Sequence, residues 1–221
     1  MHCSCGDYGA AAQRQFTEQI AARDLESYRA KGPGPTTRLL RDGLIQAGPV
    51  GGVLLDIGTG VGALAFEMLA AGVRRVIAVD ASPAYIEAAS REAARRGCLD
   101  AVQLILDDFL DAAPGIPAAS CVTLDRVICC YPAFRPLLEE AVRHAERHFA
   151  FSYPRETWYV RVWNAILNGK RRLTGNPFRT HIHSTALMAQ VVTGAGFRRV
   201  SRRGTFAWSV DVYARSAPDS Q

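Results

Sequence analysis

Lysine is nearly missing from these 221 residues: Lys31 and Lys170 are the only two. The positive side of a net charge of +5 therefore rests on arginine, whose planar fork suits carboxylate or phosphate recognition. Those charges are spread along the chain. Lys170-Arg171-Arg172, Arg198-Arg199 and Arg202-Arg203 cluster, and they read as solvated surface rather than as a nucleic-acid face. Also missing is any apolar run of about 18 residues. The opening Met1-His2-Cys3-Ser4-Cys5-Gly6-Asp7-Tyr8 has no signal-peptide profile. A soluble, cytoplasmic protein without a membrane span is the expectation. Six cysteines make no disulfide framework at this length, and neither Cys3-x-Cys5 nor Cys129-Cys130 has a standard zinc spacing. No metal is expected; a thiol site for a soft metal or metalloid is the alternative for those two pairs. Cys98 and Cys121 read as small core residues. A hydrophobic content of 48% with 21% charged residues fits one well-buried domain.

The most informative stretch is Val53-Leu54-Leu55-Asp56-Ile57-Gly58-Thr59-Gly60-Val61-Gly62-Ala63-Leu64-Ala65-Phe66. It predicts a strand, a tight turn and a helix starting near Val61. Glycine accepts positive φ there and lets a ligand lie against bare backbone. Gly58, Gly60 and Ala63 also satisfy the dinucleotide pattern G-x-G-x-x-G/A, which alone is weak. Asp56 decides between ligands. A carboxylate two residues before the first glycine repels a pyrophosphate but suits the ammonium of a methionine moiety. An NAD dehydrogenase is further disfavoured by the lack of Tyr-x-x-x-Lys and of a second domain.

The stretch D-x-G-x-G-x-G resembles motif I of the class I S-adenosylmethionine (SAM)-dependent methyltransferases. The resemblance implies SAM as cofactor, with Asp56, Ile57, Gly58, Thr59 and Gly60 at its methionine end. Asp80 and Ala81 follow at the spacing of an acid that bonds a ribose hydroxyl pair. Asp108 and Phe109 meet the adenine, because Asp107 falls where the family usually has glycine. Arg126, near the end of the fourth strand, is included in the cofactor site.

In chain order, helices are expected over Tyr8–Ala30 and Arg38–Ala47, separated by Gly32-Pro33-Gly34-Pro35 and capped by Thr36-Thr37. From Val53 the pattern alternates strand and helix: helix Ala63–Ala71, strand Val76–Asp80, a Ser82-Pro83 start to a helix ending at Arg96, and strand Val102–Phe109. Strand Cys121–Ile128, helix Leu137–Arg147 and strand His148–Pro154 follow. Glu156–Leu173 reads as one or two lid helices, and Gly175-Asn176-Pro177 turns the chain back. His183-Ser184-Thr185 caps a helix to Thr193, and Phe197–Arg202 and Phe206–Tyr213 close as a hairpin. The fold expected is Rossmann-like α/β: a seven-stranded, mostly parallel sheet with an antiparallel last strand and helices on both faces. Residues 1–48 form an N-terminal helical arm and 49–221 the catalytic domain, including a lid over 155–180.

Arg126-Val127-Ile128-Cys129-Cys130-Tyr131-Pro132, Phe151-Ser152-Tyr153-Pro154-Arg155 and Phe178-Arg179-Thr180-His181-Ile182-His183 are similar to segments of the magnesium-protoporphyrin O-methyltransferases. That family esterifies a propionate carboxylate. It typically carries histidine where Cys130 stands, and a tyrosine in its arm, for which Tyr8 and Tyr28 are candidates. His183 and Tyr131, near the strand ends, are catalytic candidates, and the resemblance adds Cys130 and Tyr8. Arg155, Trp158, Arg179 and His181 are the candidates for the substrate, with Trp163 beside Trp158 in a flat aromatic pocket. The reading is SAM-dependent methylation of a small molecule, most plausibly O-methylation of an acidic or aromatic-ring acceptor. The alternatives are N-, S- or metalloid methylation and a non-catalytic SAM-binding protein. Nucleic-acid methylation is disfavoured, because Cys130-Tyr131-Pro132 is not Asn/Asp-Pro-Pro-Tyr. Oligomeric state is left open.

Overall fold

In the computed structural model residues 6–216 are described, with side chains from Gly9 onward. Cys3 and Cys5 lie outside the described residues, and so does the side chain of Tyr8. Three helices lead the chain: α1 (Gly6–Gln15), α2 (Glu18–Lys31) and α3 (Pro35–Ala47). Then come β1 (Val53–Ile57), α4 (Ala63–Ala70), β2 (Arg75–Asp80), α5 (Pro83–Arg96), β3 (Val102–Leu106), α6 (Phe109–Ala112), β4 (Ala119–Leu124), α7 (Phe134–Arg143) and β5 (Ala145–Pro154). A long helix α8 (Trp158–Leu173) and α9 (Thr185–Gly194) precede β6 (Phe197–Gly204) and β7 (Trp208–Arg215).

The seven strands form one sheet in the order β3-β2-β1-β4-β5-β7-β6. β1 to β5 pair in parallel, and β7 enters antiparallel between β5 and β6. Alternation along each strand divides the core. Leu55, Ile57, Ile77, Val122 and Phe149 face α7 and α9. Leu54, Val76, Cys121, Ala150 and Val212 face the other way, together with Leu25, Leu40 and Leu44 of the leading helices. On that second face Glu92 has no exposed surface and is gripped by Arg29, Arg95 and Arg96, tying α2 to α5. The three guanidiniums, Arg95 first, hold its carboxyl down to about 2 against the cost of burial.

Several boundaries differ from the expectation, each for a local reason. The helix expected over Tyr8–Ala30 breaks at Phe16-Thr17, where Thr17 is extended and the Phe16 ring sits between Tyr85 and Phe178, 5.2 Å from each. Pro35 opens α3, so Thr36 and Thr37 are inside its first turn rather than capping it; the Thr37 hydroxyl donates instead to Asp125. β3 stops at Leu106 because Asp108 caps α6, its side chain accepting from Leu110 N–H. β4 stops at Leu124: Arg126 has φ 62°, and Ile128–Cys130 forms a 3-10 turn. The helix after it begins at Phe134 and gives way at Arg143, so β5 starts at Ala145. The segment expected as one or two lid helices is the single helix α8.

Candidate functional site

The carboxyl ends of β1, β2, β3 and β4 lie side by side, the rim at which open α/β sheets bind ligands. At this rim the glycine turn is wound by its own backbone. Gly58 N–H and Thr59 N–H both donate to the Val79 carbonyl, at 2.7 and 3.1 Å. Gly58 and Gly60 have φ of 67° and 56°, a region that glycine enters without penalty. A Cβ on Gly58 would stand 2.3 Å from Val127, whereas one on Gly60 would project into open space. Gly60 is thus the point where a ligand can touch bare backbone. The helix beyond starts at Ala63, as the range Ala63–Ala71 expected, with Gly62 as its left-handed cap.

Asp56 is buried beneath this turn. Thr123, its register partner on β4, donates to it at 2.7 Å and Thr59 at 2.8 Å. Burial raises its carboxyl to about 7, opposed by the two hydroxyls and reinforced by the charges of Asp125 and Asp80. Asp80 accepts from Gly60 N–H and Ser82 N–H, both at 2.9 Å, and burial raises it to about 6 despite those bonds. Asp125 accepts from Thr37 at 2.6 Å and Ser152 at 2.7 Å. The Ser152 hydroxyl also receives Arg126 N–H at 2.7 Å, which secures the positive φ of Arg126. Asp56, Gly58, Thr59, Gly60, Asp125 and Arg126 line a cavity of about 400 Å³, closed on its far side by Tyr28, Arg38 and the Gly32–Pro35 turn. Two carboxylates lie under the glycine turn, and Arg38 and Arg126 border the same space.

At the other end, Asp108 is buried. Its Oδ1 accepts from Tyr131 OH and from Leu110 N–H, each at 2.9 Å, and its Oδ2 has no partner. An orphaned buried acceptor costs about 1–3 kcal/mol, and an exocyclic amine donor would satisfy it. Burial raises its carboxyl above the usual range. Ile57, Ala81 and Phe109 share a narrow crevice with Asp80 and Tyr131. The Phe109 ring itself is turned into the core, edge-on to His144 at 5.7 Å, and not onto the surface where a base would stack. Gly9, Ala10 and Gln13 of α1 stand across from Ala81, Asp107 and Asp108. The glycine backbone, the paired acids and the orphaned Asp108 oxygen together fit a nucleoside carrying a cationic amino-acid tail.

The catalytic candidates are brought to one place but are already engaged. His183 Nε2 lies 2.9 Å from the Tyr131 carbonyl, so the ring donates there, and burial lowers its pKa from the usual imidazole value against that bond. It staples the turn after β4 instead of offering a free base. Tyr131 OH is committed to Asp108. Cys130 and Cys129 have sulfurs 3.9 Å apart, and both thiols lean on the Arg126 carbonyl. The bond to Cys129, then burial, raises the Cys130 thiol well above its ordinary value, while Arg171 opposes and Asp80 reinforces this. Cys130 is therefore a thiol within electrostatic reach of both Asp80 and Arg171. Among the described residues no cluster of three or more potential metal ligands occurs.

The substrate candidates divide. His181 is half-buried and its ring is stacked on His183 at 5.8 Å, while its backbone N–H donates to the Cys129 carbonyl at 2.7 Å. Arg179 is half-buried and folds back on the Phe178 carbonyl at 2.8 Å. Arg155 is exposed and reaches the Thr205 carbonyl. Trp158 and Trp163 point out to solvent, not into a pocket. Sequence reasoning missed Arg171 and Asp125. Arg171 sits four residues after Leu167 on the inward side of α8, a helical spacing masked by its basic neighbours. Its guanidinium lies over the Phe178 ring at 5.2 Å and donates to Asn168 and Thr180. It has no carboxylate within ion-pair distance among the described residues. Asp125 continues the pattern of an acid closing a strand, which Asp56 and Asp80 already display.

Residues 54–150 match the model of a methyltransferase domain. A stretch of 77 residues is 39% identical to the ribosomal protein L11 methyltransferase of Tolumonas auensis, covering 35% of this chain and 26% of that protein. The chain thus spans about a quarter of that relative. Magnesium protoporphyrin IX methyltransferase from Synechocystis PCC 6803, solved with bound S-adenosylhomocysteine (SAH), superposes with a TM-score of 0.71. It is 18% identical, over 92% of this chain and 98% of that one. An O-methyltransferase family protein from Burkholderia thailandensis gives a TM-score of 0.66 at 18% identity, over 95% and 64%. At such identities the likeness is one of fold.

Proposed function

We propose that this chain, a class I SAM-dependent methyltransferase in its domain and fold, methylates an oxygen of a small acidic molecule, a carboxylate on a flat, porphyrin-like acceptor fitting best. Asp56 and Asp125 would hold the methionine ammonium, Gly58 to Gly60 the backbone beside it, Asp80 the ribose hydroxyls and Asp108 the adenine amine. SAM, when bound, supplies a methyl group on a sulfonium leaving group. The chain's task is then to bind, align and exclude water, and alignment can provide most of the acceleration. Residues 1–48 act as a cap and 155–180 as a lid.

The observation that carries the acidic acceptor is Arg171. A half-buried guanidinium whose ionised form is disfavoured by burial, with no acid paired to it among the described residues, is suited to a ligand carboxylate in a bidentate pair. The engagement of His183, Tyr131 and Cys130 supports the same reading. A carboxylate is already ionised at neutral pH and needs no base, whereas a phenol or an amine benefits from one. Calorimetric titration with SAH, with NAD as control, is expected to give micromolar binding of SAH alone; binding of NAD alone would overturn the cofactor. With magnesium protoporphyrin IX as acceptor, a methyl ester is the expected product. Arg171→Met should raise its KM about tenfold or more, with Arg171→Lys intermediate and SAH affinity unchanged. An unaltered KM would remove Arg171 from the acceptor site.

A further inference from the structure

α8 turns its largest apolar stripe outward. Its inward face mixes Val160 and Leu167 with polar side chains: Asn164 and Asn168 both donate to the Thr180 carbonyl, at 2.9 and 2.7 Å, and Arg171 joins them. Its outward face is apolar. Trp158, Val162, Ile166 and Leu173 recur at helical spacing on one side, with Ala165 and Gly169 between them and Trp163 at the margin. The large ones among these are between 52 and 90% exposed. Phe206, 76% exposed, extends the stripe from the turn between β6 and β7. It is stacked on Tyr159 at 4.5 Å. Arg161 and Arg172 flank the stripe on one edge and Lys170 on the other, and α8 contains no acid. Arg155 lies exposed just before it. Bundle helices normally bury such a stripe, and soluble surfaces rarely leave one uncovered.

We propose that the outer face of α8, with Phe206, is a docking surface for an anionic lipid bilayer, on which the helix lies in the plane of the interface. The charge pattern selects that occupant. Tryptophan, isoleucine and leucine on one face, edged on both sides by cations of which Arg161 alone is paired, with Glu156 just before the helix, match the apolar and anionic layers of such a surface. No helix among the described residues is long and apolar enough to cross a membrane, so the contact is peripheral. Because Arg171 is on the opposite side of the same helix, a bilayer contact would bring an amphiphilic acceptor to the mouth of the site.

Flotation of the full chain with vesicles tests this, comparing phosphatidylcholine alone with an equal mixture of phosphatidylcholine and phosphatidylglycerol. The expected result is binding to the mixed vesicles, weakened by high salt and accompanied by a blue shift of tryptophan emission. Ile166→Glu with Leu173→Glu should lower the partition coefficient at least about tenfold while leaving SAH affinity unchanged, which verifies the fold. Failure of the native chain to float, or flotation indifferent to these substitutions, would overturn the proposal. So would a self-association that the same substitutions abolish without any lipid binding, since the stripe would then face a second copy of the chain.

Discussion

Residue by residue, the site is a set of acids held at the wrong charge for a ligand-free protein. Asp56 and Asp80 titrate at about 7 and about 6, principally because both are buried. Their folded values lie above the ordinary carboxylate range near 4. Their contribution to stability is therefore complete below about pH 4 and is lost as pH rises through 6 and 7. A ligand carrying an ammonium reverses this by favouring the ionised forms, so binding should release protons. Calorimetry of SAH near pH 6.5 in two buffers of different ionisation enthalpy is expected to show net proton release. Affinity should also increase from pH 5.5 to 7.5. Asp56→Asn should remove most of that dependence, and a native titration without proton release would contradict the placement of the ammonium. Asp80 has a double duty, since its carboxylate also pins Gly60 and Ser82. Asp80→Asn should weaken SAH binding about tenfold or more with little change in the unfolding midpoint, while Asp80→Ala should also loosen the turn. Unchanged affinity in both variants would end the ribose assignment.

The helices show where local pattern was enough and where it was not. α5 was legible because Ser82 and Pro83 form a cap and first turn whose partners are local, Ser82 accepting from Tyr85 N–H. α1 and α2 keep helical periodicity straight through Phe16-Thr17. What parts them is distant: the Phe16 ring wedges between Tyr85, which lines the cavity under the glycine turn, and Phe178 in the segment after α8. Ser82 donates to the Phe16 carbonyl at 2.9 Å, and Asn176 donates to Gln15 at 3.0 Å. The leading helices, the start of α5 and the segment after α8 thus converge on one residue. Phe16→Ala should uncouple them at a cost of about 1–2 kcal/mol, less than the full burial of a phenylalanine because the ring is only half-buried. Limited trypsin digestion should then cut at Arg171 and Arg172 several-fold faster, and SAH should bind more weakly. If neither the cleavage rate nor the affinity moves, the arm does not brace the lid. Arg171 escaped the sequence reading for a related reason. A run of three basic residues looks like solvent-facing charge until the helix is packed, and only then does its middle member turn inward.

The whole molecule follows from strands whose apolar runs close on acids, and that pattern is local enough to be read directly: β2 ends at Asp80 as the sequence placed it, and the antiparallel insertion at the end of the chain is present. The arrangement of the leading helices is not local. α3 crosses the sheet on β5, β6 and β7, far along the chain, and buries Leu40 and Leu44 completely. Nothing in residues 35–47 announces that destination except a glycine in mid-helix, Gly43, which is normally a cost of about 1 kcal/mol relative to alanine. The structure gives its reason. A Cβ there would stand 2.7 Å from Cγ2 of Val212, a β-branched side chain buried in β7 and unable to swing away. Two tendencies then oppose each other in Gly43→Ala: the helix gains about 1 kcal/mol of propensity, and the packed interface is forced apart at about 1–3 kcal/mol. The clash should win, because the contact lies between the helix and an interior strand with no flexible atom to yield. Chemical denaturation should show a lower midpoint with an unchanged slope. Shortening the opposing side chain in Gly43→Ala/Val212→Ala should not add the two losses, since the second change makes room for the first. A more stable single variant would mean that α3 rides loosely on the sheet, and a strictly additive double variant would mean that Gly43 and Val212 do not meet.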